Sequence, residues 1–166
     1  MKGTDPEAII AAADVLTAAV DKANADADAA KKAAEEKAAA EAAAARAARE
    51  QAAEDAVEAA KNTNNNIYYL IGKTNIRREQ QYKINKLVKQ LKANPDAKVV
   101  VCGFADKNTG TAEGNMALSE DRANGVTEAL IAAGIAPERI TTYWFGDEKQ
   151  VSKVAERNRV AVMISK

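Results

Sequence analysis

Between Pro6 and Gly72 the chain has neither glycine nor proline, and alanine is by far its commonest residue. Residues 21–60 contain 21 alanines and only one larger aliphatic residue, Val57. Alanine is the strongest helix former but offers little apolar area, so this segment must be helical and cannot build a core of its own. Asp5 is placed to cap the start, Pro6 to occupy the first helical position, and Glu7 to meet the positive helix end. The polar run Asn62-Thr63-Asn64-Asn65-Asn66 favours turns and marks the stop. Residues 1–61 are therefore expected to form one long helix, roughly 80 Å at the standard rise, and residues 62–66 a linker.

The helix carries a pattern as well as a composition. Ile9, Leu16 and Val20 begin an apolar stripe that alanines continue at 23, 27, 30, 34, 38, 42, 45, 48, 52 and 56. Positions 23, 34, 45 and 56 repeat at 11 residues, the period of a nearly straight helical seam. Such a seam suits close packing on a second helix, hence a helix-mediated homo-oligomer. Alanine at half of all positions satisfies many periods, so a plain soluble spacer is the competing expectation. The other faces carry acids and bases at helical spacing, as in Lys31 with Glu35.

Residues 67–166 hold nearly all the larger apolar residues, enough for one small core. Ile67–Ile71 reads as a strand, and residues 76–93 as a helix burying Ile84, Leu87, Val88 and Leu91. Lys98–Phe104 is a valine-rich strand and residues 108–114 a loop. Leu118, Ala123, Val126, Leu130 and Ala133 mark a helical face that ends at Gly134. Arg139–Phe145 reads as a strand, residues 148–156 as a short helix, and Arg159–Ile164 as a closing strand. The expected fold is α+β: a β-α-β-α-β-(α)-β sheet with helices packed on it, preceded by the long α-helix.

Several functions find no support. Residues 1–61 carry net −5 and residues 62–166 net +5, too little for a nucleic-acid footprint. The single cysteine, Cys102, lies in an apolar strand and reads as a packed thiol. With no histidine, no triad and no glycine-rich phosphate loop, neither catalysis, a cofactor nor a metal is expected. No stretch reads as a membrane span.

One stretch is specific. Gly103-Phe104-Ala105-Asp106, then Gly110, then Asn115-x-x-Leu118-Ser119-x-x-Arg122-Ala123-x-x-Val126, and on to Leu130 and Gly134-Ile135, resembles the OmpA-like peptidoglycan-binding family. Gly72–Ile76 and Asn158-Arg159-Val160 extend the resemblance over about residues 67–165. It implies non-covalent binding of the peptidoglycan stem peptide through diaminopimelate, with no enzymatic activity. It also implies a periplasmic, outer-membrane-associated location, membrane attachment coming only through another domain or a partner.

The chemistry is consistent with that implication. Diaminopimelate in the stem presents an ammonium and a carboxylate on one carbon, and the family places an Asp and an Arg on these groups. Here they fall on Asp106 and Arg122. The planar guanidinium matches two carboxylate oxygens, which a lysine cannot do. Without ligand the two are expected to pair with each other. Asn115 is expected to cap the helix or fix the loop. Phe104, Ala105 and Arg159 complete the candidates, although Arg157 leaves the register at Arg159 open. Ala105 stands where many members have Thr, so a side-chain hydrogen bond to ligand is missing. The alternative is a structural or assembly protein acting through its helix, with a ligand-silent domain.

Overall fold

The computed structural model describes residues 6–166, apart from the side chains of Pro6, Ala8, Ile9 and Ala12. The Asp5 cap and the place of Ile9 in the stripe lie outside the described residues. Helix α1 runs Pro6–Ala59. The chain divides into two compact units, one ending at Ala47 and the other spanning Ala48–Lys166.

In the first unit every side chain from Ala13 to Ala47 is exposed, the alanine seam through Ala45 included. Ion pairs one turn apart, Lys32 with Glu36 at 4.0 Å and Lys37 with Glu41 at 3.8 Å, run along its surface. Exposed pairs of this kind add only a few tenths of a kcal/mol each, so intrinsic propensity holds this helix.

The second unit is built on four strands: β1 (Asn66–Tyr68), β2 (Val99–Phe104), β3 (Ile140–Trp144) and β4 (Val160–Ser165). Their order across the sheet is β1-β4-β2-β3. β4 runs antiparallel to both neighbours, and β2 pairs parallel with β3. Helices α2 (Gln81–Ala93) and α3 (Ala112–Ala132) cover one face. There Val99, Val101, Ala161 and Met163 pack with Leu87, Leu91, Val126 and Leu130.

Strand alternation sends Cys102, Phe104, Val160 and Val162 to the opposite face, and the end of α1 covers it. Ala52, Ala53 and Ala56 are buried there, at 4, 1 and 0% exposure. Two seam alanines, 52 and 56, thus find the sheet of their own unit rather than a second helix. Area alone argued against alanine as a core residue, but small side chains let a helix backbone lie close on the sheet. The Cys102 thiol reaches the Ala52 carbonyl at 3.6 Å. Burial pushes the thiol pKa up to about 12, with Asp55 adding to the rise. Ala56→Asp puts an unpaired carboxylate into this layer, and a loss of about 2–4 kcal/mol is expected. Denaturant unfolding measures it. Labelling with an aromatic disulfide reagent, negligible at Cys102 in the native chain, should become fast in the variant as the layer opens.

Four boundaries differ from expectation. The first strand stops at Tyr68 because the chain turns away through Gly72 (φ 63). Its edge is completed by Gln80, whose amide accepts from the Tyr68 N–H at 2.8 Å and donates to the Tyr68 carbonyl at 2.6 Å. Residues 78–80 form a 3-10 turn before α2. The run expected as a linker holds a 3-10 turn at Thr63–Asn65, and its last residue, Asn66, opens β1. Asn66 Nδ2 donates to the Ala60 carbonyl at 2.7 Å, and Lys83 to the Thr63 carbonyl at 2.9 Å. The short helix expected at 148–156 is a loop with a 3-10 turn at Ala155–Asn158. The buried Asn158 side chain bonds both the N–H and the carbonyl of Ser152, each at 2.9 Å, supplying the partners a helix would have used.

Candidate functional site

Asp106 lies two residues past the end of β2 and is 2% exposed. Its carboxylate first organises its own loop, accepting from the Asn108 N–H at 3.2 Å and the Thr109 hydroxyl at 2.8 Å. This is an Asx turn, closed where Thr111 caps α3 by accepting from Gly114 N–H. Asn115 therefore does not cap the helix. From the first turns of α3 its amide donates to the carbonyls of Thr109 at 2.9 Å and Asp106 at 3.3 Å, and to the Asp147 carboxylate at 2.9 Å. It fixes the loop. Asp147, in the loop after β3, is its side-chain partner.

Arg122 lies two turns further along α3 and is 1% exposed. It does not pair with Asp106. Its Nε donates to the Lys73 carbonyl at 3.1 Å, Nη1 to the Phe104 carbonyl at 3.0 Å, and Nη2 to the Leu70 carbonyl at 3.5 Å. The chain between β1 and α2 leaves the sheet after Tyr69, which frees the Leu70 and Lys73 carbonyls for these bonds. The guanidinium lies 5.2 Å from the Tyr69 ring centre, and the Tyr69 hydroxyl donates back to the Arg122 carbonyl at 3.2 Å. Burial lowers the Arg122 pKa, Tyr69 and Asp106 oppose that, and Arg159 adds to it. Burial also raises the Tyr69 pKa well above its ordinary value, so the phenol stays protonated.

The cation on Asp106 is Arg159. Its Nη1 lies 3.3 Å from Asp106 Oδ2, and its Nε donates to the Tyr69 carbonyl at 3.3 Å. The side chains are 12% and 2% exposed. The register left open by Arg157 is thereby set: Arg159 turns inward and Arg157 is exposed. The expected Asp106–Arg122 pair is replaced because the backbone carbonyls around α3 claim Arg122, while β4 delivers Arg159 to the carboxylate.

The remaining candidates contribute through the backbone. The Phe104 ring is fully buried and stacks on Phe145 with centres 5.2 Å apart, so only its carbonyl serves the site, by holding Arg122. Ala105 is 1% exposed, donates to the Gly146 carbonyl at 2.7 Å and accepts from Gln150 at 3.0 Å. Ser119 appears in the motif without an assigned task. It is fully buried, donates to the Met116 carbonyl at 2.7 Å and accepts from Gly146 N–H at 2.8 Å, tying α3 to the loop after β3. Tyr69 and Gln150 carried no sequence signal beyond an apolar run and an expected short helix.

Among the described residues no three or more His, Cys, Asp or Glu side chains are grouped to hold a metal. Among them, too, no helix is long and apolar enough to cross a membrane.

Known proteins show the same domain. Outer membrane protein 40 of Porphyromonas gingivalis is 37% identical over 99 residues, 60% of this chain and 26% of that protein. The peptidoglycan-associated lipoprotein of Pasteurella multocida is 36% identical over 85 residues, 51% of this chain and 56% of that one. Peptidoglycan-binding protein ArfA of Mycobacterium tuberculosis is 38% identical over 72 residues, 43% and 22% of the two chains. The chain thus spans only about a quarter of the first of these relatives, and little more than half of the lipoprotein. Two solved structures share the fold. The peptidoglycan-associated lipoprotein of Burkholderia pseudomallei superposes with TM-score 0.58 at 24% identity, covering 61% of this chain and 90% of that one. The C-terminal domain of Helicobacter pylori MotB superposes with TM-score 0.55 at 18% identity, covering 61% and 83%. A family model, that of the OmpA family, matches residues 68–162, more than half of the chain. The chain belongs to the OmpA family.

Proposed function

We propose that the globular unit binds peptidoglycan non-covalently, by the zwitterionic end of diaminopimelate in the stem peptide, and acts as a wall tether rather than an enzyme. The observation that carries this is the guanidinium of Arg122. Three of its five N–H donors are held by the carbonyls of Lys73, Phe104 and Leu70. That leaves one donor on each terminal nitrogen, the arrangement a carboxylate accepts. Asp106 supplies the anion for the ammonium on the same carbon. In the ligand-free protein Arg159 holds that place. Ligand entry exchanges one cation for another, so the buried carboxylate is never left uncompensated.

The names of the lipoproteins and of the mycobacterial protein support peptidoglycan as the partner. A periplasmic position at the outer membrane follows from the same reading. Individually modest contacts from many copies on one wall would add up to a firm attachment.

The test is a titration of the protein with a diaminopimelate-containing muropeptide and its lysine-containing counterpart. Lysine lacks the carboxylate beside the side-chain ammonium. Loss of a charge-assisted bidentate contact of about 1.5–3 kcal/mol predicts binding weaker by about 10- to 100-fold. Equal affinity for the two would sink the diaminopimelate assignment.

A further inference from the structure

A second concentration of positive charge adjoins the Asp106–Arg122 site. A cleft of about 380 Å³ opens between the chain leaving β1 and the loop entering β4, lined by Tyr68, Tyr69, Leu70, Arg77, Arg157 and Arg159 among others. Glu156 is the one acidic residue in its lining. The cleft and the site share three residues: Arg159 bonds Asp106, Tyr69 lies against Arg122, and the Leu70 carbonyl accepts from Arg122.

Two of the arginines have capacity to spare. Arg157 is exposed, and its side chain makes no hydrogen bond or ion pair with the described residues. Arg77 pairs with Glu79 at 3.0 Å through Nη1, but its Nε is buried without a hydrogen-bond partner. Buried donors are rarely left so, because the lost hydration is not replaced. A further cation lies against the lining residue Tyr68, the Lys83 ammonium being 5.3 Å from its ring centre. Burial, and then repulsion from Arg77, lowers the Lys83 pKa. An anion arriving here meets unsatisfied guanidinium donors over an apolar wall of Tyr68 and the 56%-exposed Leu70.

We propose that this cleft is a second, carboxylate-binding subsite, in which Arg77 and Arg157 take the free α-carboxylate of the D-glutamate next to diaminopimelate in the stem peptide. The inference rests on the function proposed above. With diaminopimelate held at Asp106 and Arg122, the peptide continues into the space that Tyr69 and Arg159 share. The γ-linkage of that glutamate leaves its α-carboxylate as a side branch, and D-isoglutamine carries a neutral amide at the same place. The subsite therefore selects non-amidated stems.

The test uses the full chain, wild type and the R77Q/R157Q double variant, in calorimetric titrations with three synthetic tripeptides. One is L-Ala-γ-D-Glu-diaminopimelate, one carries D-isoglutamine, and one is amidated only at the terminal carboxylate of the stem backbone. Wild type should bind the D-isoglutamine peptide about tenfold more weakly than the parent, the value of one charge-assisted contact. The third peptide should bind like the parent. The double variant should bind all three with the affinity of wild type for the D-isoglutamine form. Equal affinity of wild type for the first two peptides overturns the subsite and leaves diaminopimelate recognition standing. A loss seen only with the third peptide assigns the cleft to the wrong carboxylate and overturns the proposal, as does a preference retained by the double variant. Failure of wild type to bind any of the three overturns the diaminopimelate reading and the subsite with it.

Discussion

Asp106→Ala is expected to abolish co-sedimentation with purified peptidoglycan while the protein remains folded. Truncating one partner of a buried charge pair costs about 2–5 kcal/mol of binding, or roughly 30-fold to several thousand-fold. The substitution also strands Arg159, which keeps only the Tyr69 carbonyl at 3.3 Å. The loop loses its bonds to Asn108 and Thr109, so part of any effect is shape. Asp106→Asn separates the two. The amide oxygen can still accept from the Asn108 N–H and the amide nitrogen can donate to the Thr109 hydroxyl, but the group carries no charge for the ligand ammonium. Sedimentation of Asp106→Asn at the wild-type level would remove the charge from the mechanism. At Arg122 the informative change is to lysine. Alanine takes the guanidinium away from three backbone carbonyls, of which Leu70 keeps the Lys73 N–H at 3.1 Å, a penalty of several kcal/mol that confounds binding with unfolding. Lysine keeps the charge and reaches some of those carbonyls, but it has no planar fork for a carboxylate. Weak sedimentation of a folded Arg122→Lys protein is the expected result.

The parts of the fold that rest on periodicity were legible in the sequence. The strand at β2, the apolar face of α3 and the helical alanine run each follow from side-chain spacing, which is a local property. Contacts made by backbone groups left no such trace. Arg122 is held by the carbonyls of Lys73, Phe104 and Leu70, any of which another residue type would supply equally well, so nothing marked them. The Asp106–Arg159 pair joins residues 53 positions apart and depends on β4 lying between β1 and β2. The loop at 148–154 has helical spacing, but Asn158 holds it open through bonds to Ser152 that spacing cannot reveal. Alanine burial at 52, 53 and 56 was hidden for another reason. Transfer free energy scales with area, whereas a small side chain contributes by allowing a close approach, and that requires knowing the surface approached.

Close approach decides the last prediction. At Gly103 an added Cβ would lie 1.9 Å from the Ser119 carbonyl oxygen, 2.9 Å from its carbon and 3.0 Å from the Ala123 Cβ. The first two are backbone atoms of α3, so no rotamer change relieves the contact and the helix itself must shift away from β2. Overpacking of a well-filled interior costs about 1–3 kcal/mol where side chains can adjust. A backbone collision places Gly103→Ala at or above the top of that range. The same helix carries Asn115, Ser119 and Arg122, and Arg122 bonds the carbonyl of the very next residue, Phe104. Binding should therefore fail even under conditions where the variant is still folded. Gly125→Ala is the matched control, since a Cβ there meets only the Thr74 carbonyl oxygen at 3.8 Å. In a helix interior that change should stabilise by up to about 1 kcal/mol and leave sedimentation with peptidoglycan intact. Denaturant midpoints and co-sedimentation of the two variants side by side make the measurement. A Gly103→Ala protein as stable as the Gly125→Ala control would mean that α3 does not rest on β2 at this glycine, and the geometry placing Arg122 beside the end of β2 would fall with it.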